Sequence, residues 1–325
     1  MYDIIAVGEL LIDFTPESAP GAEKVLFSQN PGGAPANVLA QASTLGANTA
    51  LVSRVGQDAF GAFLVDQVAR RGVNTDYISR DDRYPTTLAF VHLDADGDRS
   101  FSFYRECSAD RMLNVEHIPK APIEEASILH FGGVSMTDLP ARFATTHAVH
   151  LARESGTLVS YDPNYRPALW DSEEAARQEL RRVLPMVDII KVSEEELPLL
   201  TDTDDLEEGS RRLADLGITL VLISRGPAGA YYRLGGITGS CPAYSVDVVD
   251  TTGAGDAFMG AVLSHLCHMD RDTLESLTQD ALNEIVDFAN AAGSLTCTKK
   301  GAIAVMPTEA EIAALRSERK EFIHD

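Results

Sequence analysis

The chain has 325 residues, enough for two domains or for one large α/β domain with an appendage. Its net charge of -22 repels phosphate backbones and anionic lipid, which excludes nucleic-acid or membrane-surface binding as its main function. Cys107, Cys241, Cys267 and Cys297 show no C-x-x-C spacing, so reduced thiols in a cytoplasmic protein are expected. No segment approaches the roughly 20 apolar residues that span a bilayer. Asp3, Glu9 and Asp13 interrupt the N-terminal run too early for a secretory signal.

Residues 3–7 form a short apolar run ending at Gly8, which predicts a buried first strand. Residues 34–44 are alanine-rich and stop at Gly46, a helix pattern; residues 49–55 predict a strand, and 60–71 a helix ended by Gly72. Residues 86–93 and 99–105 flank Asp94-Ala95-Asp96-Gly97-Asp98 and predict a hairpin. Period-two alternation places Phe101, Phe103 and Arg105 on one exposed face. From residue 128 short apolar strands (128–131, 158–162, 189–192, 220–224) alternate with helical stretches (139–154, 173–184, 207–216). That rhythm predicts a mainly parallel sheet flanked by helices on both faces. A β-rich stretch at 244–249 precedes mostly helical sequence from 255 to about 298. The expected organisation is an α/β core (1–14, 30–85, 107–325) carrying a small inserted β-sheet lid (15–29, 86–106).

The strongest chemical signal is Asp250-Thr251-Thr252-Gly253-Ala254-Gly255-Asp256-Ala257-Phe258. Glycines at a helix start let an anion approach backbone N–H groups that the helix dipole makes receptive. A carboxylate among those donors opposes an anion, so Asp256 reads as a base that takes a proton from an attacking hydroxyl. An isolated Asp there would more simply cap the helix; the flanking Thr-Gly-Ala-Gly shifts the reading to chemistry. The segment is neither a Walker A loop nor the dinucleotide fingerprint, whose third glycine is replaced by Phe258. A second signal, Pro31-Gly32-Gly33-Ala34-Pro35-Ala36-Asn37, permits close backbone approach by a ligand and sets Asn37 in a first helical turn, where its amide suits a polyol.

These two segments resemble the N- and C-terminal signatures of the ribokinase-like (PfkB) carbohydrate kinases, and the resemblance covers residues 1–307. Gly8-Glu9-Leu10-Leu11-Ile12-Asp13-Phe14, Phe103-Tyr104-Arg105, Tyr161-Asp162-Pro163-Asn164-Tyr165-Arg166-Pro167 and Lys191-Val192-Ser193-Glu194-Glu195-Glu196 are most similar to the fructokinases of that family. The resemblance implies a ribokinase-like fold and ATP-dependent phosphorylation of fructose, with Mg2+ and a monovalent cation, K+. It implies Asp256 as base and Gly253, Ala254 and Gly255 as anion hole. It implies sugar binding by Asp13, Gly32, Gly33 and Asn37, with Phe103, Arg105 and Arg166 near the substrate. For ATP it implies Ser193, Glu196, Ser224, Gly226, Gly229 and Asn290; Glu196 would act on magnesium through water, and Ser193 stands where the family's N-x-x-E motif has Asn. Backbone carbonyls around Asp250, Thr252, Thr296, Lys299 and Gly301 would hold K+. It further implies a homodimer formed through a mobile lid, with Phe101 and Phe103 at the contact. The alternatives are a kinase for another sugar or sugar acid (2-keto-3-deoxygluconate, ribose) or a non-catalytic sugar sensor.

Overall fold

The computed structural model describes residues 1–18, 23–93 and 99–322; the side chains of 93, 99–101 and 319–322 lie outside that description. The Asp94–Asp98 turn and the Phe101 side chain therefore fall outside the described residues.

Short runs of branched apolar residues make the core sheet. Among the described residues it has nine strands in the order β13-β12-β11-β10-β9-β8-β1-β4-β5. These are β1 (Ile4–Val7), β4 (Thr49–Gly56), β5 (Ile78–Asp81), β8 (Ile128–Gly132), β9 (Leu158–Asp162), β10 (Ile189–Ser193), β11 (Leu220–Ser224), β12 (Ala230–Leu234) and β13 (Ile237–Cys241). Neighbours from β5 to β11 pair in parallel, as the strand–helix alternation predicts. The β12–β13 hairpin extends one edge antiparallel and was not anticipated. Both faces of the sheet are buried, which is why β1 reads as an unbroken apolar run. Ile4 and Ala6 enter one hydrophobic cluster, Ile5 and Val7 the other.

A second, four-stranded sheet has the order β3-β2-β6-β7, with β2 (Leu11–Pro16), β3 (Phe27–Gly32), β6 (Leu88–Leu93) and β7 (Arg99–Tyr104). The inserted sheet is thus present, but it begins earlier than residue 15. Asp13 lies within β2, paired with Asn30 and Ala89, and not on a loop following β1. The Tyr244–Val249 stretch is also not a strand: residues 242–248 have no regular structure and instead wall a cleft.

Several helices away from the sheets' meeting point are closed by side chains. Asp58 accepts from Gly61 N, Ser172 from Ala175 N, Asp205 from Glu208 N and Thr278 from Ala281 N. The helices Ala34–Thr44 and Ala254–Leu266 start at Gly33 and Gly253, which bring no capping side chain. Their N-termini meet where the two sheets meet.

Candidate active site

The helix Ala254–Leu266 starts without a capping side chain. Gly253 takes the left-handed conformation (φ 79°), and a Cβ there would lie 2.6 Å from the Ala302 Cβ. First-turn N–H groups have no partner inside a helix. Asp256 does not cap them. Its carboxylate is buried, and Oδ2 accepts from Asn37 Nδ2 at 2.7 Å. Burial, then the nearby Asp162 carboxylate, push Asp256 up to about 6, against the pull of Asn37, Lys191 and Arg166. A carboxylate in that range can take up or release a proton near neutral pH.

The N-terminal motif faces the same point. Gly33, at φ 119°, lies so close to β1's exit that a Cβ would approach the Glu9 carbonyl to 2.5 Å. A side chain on Gly32 would collide with the Asp13 carboxylate. Burial lifts Asp13 to about 7; Arg166 opposes the rise, and Asp256 and Asp250 add to it. Asp13, Asn37, Arg166 and Asp256 thus share one electrostatic field. Arg166 is brought there by a turn in which Asn164 takes a left-handed conformation (φ 42°) and its N–H donates to Asp162 Oδ1. Among the described residues no carboxylate lies within ion-pair distance of Arg166, whose Nη1 donates to the Tyr165 carbonyl at 3.3 Å.

A cleft of about 480 Å³ opens beside Ala254 and Gly255, and Ser224, Gly226, Gly229 and Asn290 all line it. Gly229 has φ 88°, and a side chain there would strike the Cys241 carbonyl. Asn290 Nδ2 donates to Cys241 O at 2.8 Å, fixing the wall. The exposed Val248 side chain adds an apolar rim suited to a flat ring. Ser193 pairs with Ser224 at the carboxyl edge of the sheet. Ser193 and Glu196 form a reciprocal cap: Glu196 N donates to Ser193 Oγ, and Ser193 N to Glu196 Oε2. Glu196 Oε1 accepts from Tyr165 N, so this acid also ties the Arg166 turn to β10.

The loops around the expected cation ligands converge. Asp250 Oδ1 accepts from Thr252 N at 2.8 Å and Oδ2 from Gly301 N at 3.0 Å. Val249 N and Asp250 N both donate to the Cys297 carbonyl, next to Thr296. Lys299 turns its side chain outward to Glu311. The segments carrying Thr252, Thr296, Lys299 and Gly301 are thus drawn together beside Gly253, and their carbonyls are the groups that could hold a cation.

One residue is not where alternation put it. Phe103 sits opposite Ala89, and so on the Asp13 face of the small sheet. Arg105, past the end of β7, is buried rather than exposed. Its guanidinium donates to Asp110 Oδ2 (2.7 Å), Thr137 Oγ1 (2.7 Å) and the Val134 carbonyl (3.2 Å). Three of its five N–H donors thus brace the exit of β7 through internal partners. The exposed aromatic face is the opposite one, where Phe14, Phe27 and Tyr104 surround Phe90.

Other polar groups at the site escaped sequence reasoning. Glu9 Oε1 accepts from Ala34 N and so closes the helix that Gly33 leaves open. Lys191 donates to Asp162 Oδ2 at 2.8 Å, both side chains buried. The hints were a charged residue inside an otherwise apolar strand and the place of Glu9, Asp162 and Lys191 in the segments that resemble fructokinases.

The profile of the pfkB family carbohydrate kinases matches residues 1–309. The chain belongs to this family. It is similar to fructokinase-1 of Zea mays, 42% identical over 96% of this chain and 97% of that one. Its fold matches the fructokinase of Xylella fastidiosa solved with bound ATP: TM-score 0.91, 35% identity, 98% of this chain and 100% of that one. It also matches a double mutant of the Vibrio cholerae O395 fructokinase in fructose, ADP and potassium ion bound form. There the TM-score is 0.86 and the identity 32%, covering 96% of this chain and 97% of that one. The ribokinase-like fold and an ATP-dependent carbohydrate kinase activity follow.

Proposed function

We propose that this chain transfers the γ-phosphoryl group of ATP to D-fructose, giving fructose 6-phosphate and ADP. The observation that carries the reading is Asp256, a buried carboxylate near neutral pKa in the first turn of the helix whose residues Ala254 and Gly255 line the cleft. Asp13, Asn37 and the Gly33 backbone hold sugar hydroxyls. Asp256 takes the proton of the attacking hydroxyl as its oxygen bonds to the γ-phosphorus and the bond to the ADP oxygen breaks. The amides of Gly253, Ala254 and Gly255, with Arg166, hold the charge that develops on the phosphoryl oxygens. Ser193 and Glu196 retain lone pairs for water around the phosphates, and Mg2+ bound there would neutralise phosphate charge. Fructose, as the preferred acceptor, is supported by the relatives' names. ADP release should be fastest with fructose among equal concentrations of fructose, glucose, mannose, ribose and 2-keto-3-deoxygluconate; faster turnover of another member would reassign the acceptor.

We further propose a homodimer through the small sheet, which acts as a lid over the sugar. Tyr104 is 68% and Phe27 38% exposed on its outer aromatic face, a costly surface to leave in water. Sedimentation should show a dimer that weakens on Phe27→Ser and Tyr104→Ser, and amide exchange across 88–93 and 99–104 should slow with fructose. A monomer whose exchange ignores sugar would remove both ideas. No helix of the structure is long and apolar enough to cross a membrane among the described residues. The cysteines are free, which suits the cytoplasm; cell fractionation checks that placement.

A further inference from the structure

Lys191 occupies a position where a charge needs a reason. It lies on β10, whose sequence Ile-Ile-Lys-Val-Ser is otherwise apolar through Val192, and it is only 6% exposed. Alternation puts it on the same face as Ile189, the face covered by the helices that begin at Ala34 and Ala254. Asp162, at the carboxyl end of the neighbouring β9, accepts its one hydrogen bond among the described residues. An ammonium has three donors, so two N–H groups have no protein acceptor among the described residues.

The ammonium lies beside the helix start proposed above as the anion hole. A Cβ on Gly255 would lie 3.0 Å from Lys191 Nζ, so the ammonium rests against the first turn of the 254–266 helix. The glycine leaves room for it. A buried ion pair alone adds little net stability over apolar residues of the same volume. Two unused donors beside the start of a helix that has no capping side chain suit an incoming anion.

We propose that Lys191 is a catalytic residue whose ammonium, held by Asp162, contacts a non-bridging oxygen of the transferred phosphoryl group alongside the amides of the 254–266 helix. This rests on the kinase reading above and deepens it. Asp162 is a positioning residue: it acts through Lys191. The field agrees with the geometry. Burial pulls Lys191 down, but Asp162, then Glu196 and Asp256, outweigh it and hold the ammonium above its ordinary value. The charges facing Asp256 are Asp13 from β2, Asp162 from β9, Arg166 from the turn after it and Lys191 from β10. Asp162 raises Asp256, whereas Lys191 and Arg166 lower it.

Three variants test the proposal: Lys191→Met, Asp162→Asn, and the double variant, in which both buried charges leave together and neither is stranded. Lys191→Met should lower kcat on the order of 10²–10³-fold, the range for losing one preorganised donor at a developing charge, with KM for fructose little changed. Its acid limb in kcat/KM should move to higher pH, because a cation beside Asp256 is gone. Asp162→Asn should move the limb the other way. The double variant should melt close to the wild type yet stay as slow as Lys191→Met. A double variant that regains wild-type kcat would make the pair structural and overturn the proposal, as would a fast Lys191→Met with an unmoved limb. If Lys191→Met does not fold, the double variant and Asp162→Asn decide alone. Wild-type enzyme is assayed in parallel: no fructose-dependent ADP release there would sink the kinase reading itself, an outcome separate from a fast variant.

Discussion

Asp256→Asn is expected to lower kcat by roughly 10²–10⁴-fold, the span of general-base catalysis, while fructose binding survives. The substitution is close to isosteric, and its amide oxygen can still accept from Asn37 Nδ2, which now stands 2.7 Å from the carboxylate. Turnover falls because an amide cannot take the proton of the attacking hydroxyl. The same group sets the pH response. A base works only when ionised, and burial places Asp256 at about 6, so wild-type rates should fall as pH drops through that value. Asp13, lifted to about 7, loses its charge first, so kcat/KM should begin to decline above pH 6 and steepen below it. Calorimetric fructose binding together with near-normal turnover in the folded Asn variant would take the base role away from Asp256.

Potassium is expected to support a rate that a large organic cation does not. Asp250 ties Thr252 N to Gly301 N, and the Cys297 carbonyl ties the same loop to the end of the helix Gln279–Thr296. These contacts tie the segments that carry Thr252, Thr296, Lys299 and Gly301 together next to Gly253, where the proposed anion hole begins. A cation bound there would order the loop without touching substrate. Misplacing one donor of such a hole costs on the order of 10²-fold or more, so exchange of potassium for tetramethylammonium after exhaustive dialysis should slow turnover at least about 10-fold, a fraction of that loss. Equal rates in the two salts would count against the cation site.

Much of this was legible because the physics is local. β1 and β11 announce themselves as short, mostly branched apolar runs, since a strand covered on both faces has no polar side to alternate with. Gly253 and Asp256 were legible because a left-handed glycine before a helix and a carboxylate in its first turn are both written in adjacent residues. What stayed hidden depends on distance in sequence. Asp162 and Lys191 are 29 residues apart and meet only because β9 and β10 pair in parallel. Glu9 reaches a helix 25 residues away. Arg105 shows the opposite failure. Period two holds only inside a strand, and β7 ends at Tyr104, so the next side chain follows the turn inward to Asp110 instead of the sheet. The 242–248 wall misled for a related reason: β-branched residues also line ligand clefts when no neighbouring strand is there to pair with them.

The most direct measurement of the central claim is the fate of the phosphoryl group, followed by phosphorus NMR with purified protein, MgATP, potassium and fructose. ADP and fructose 6-phosphate should rise together, one for one, and Asp256→Asn should suppress both. ADP formed without a sugar phosphate, or a phosphate on another position of the sugar, would contradict the account.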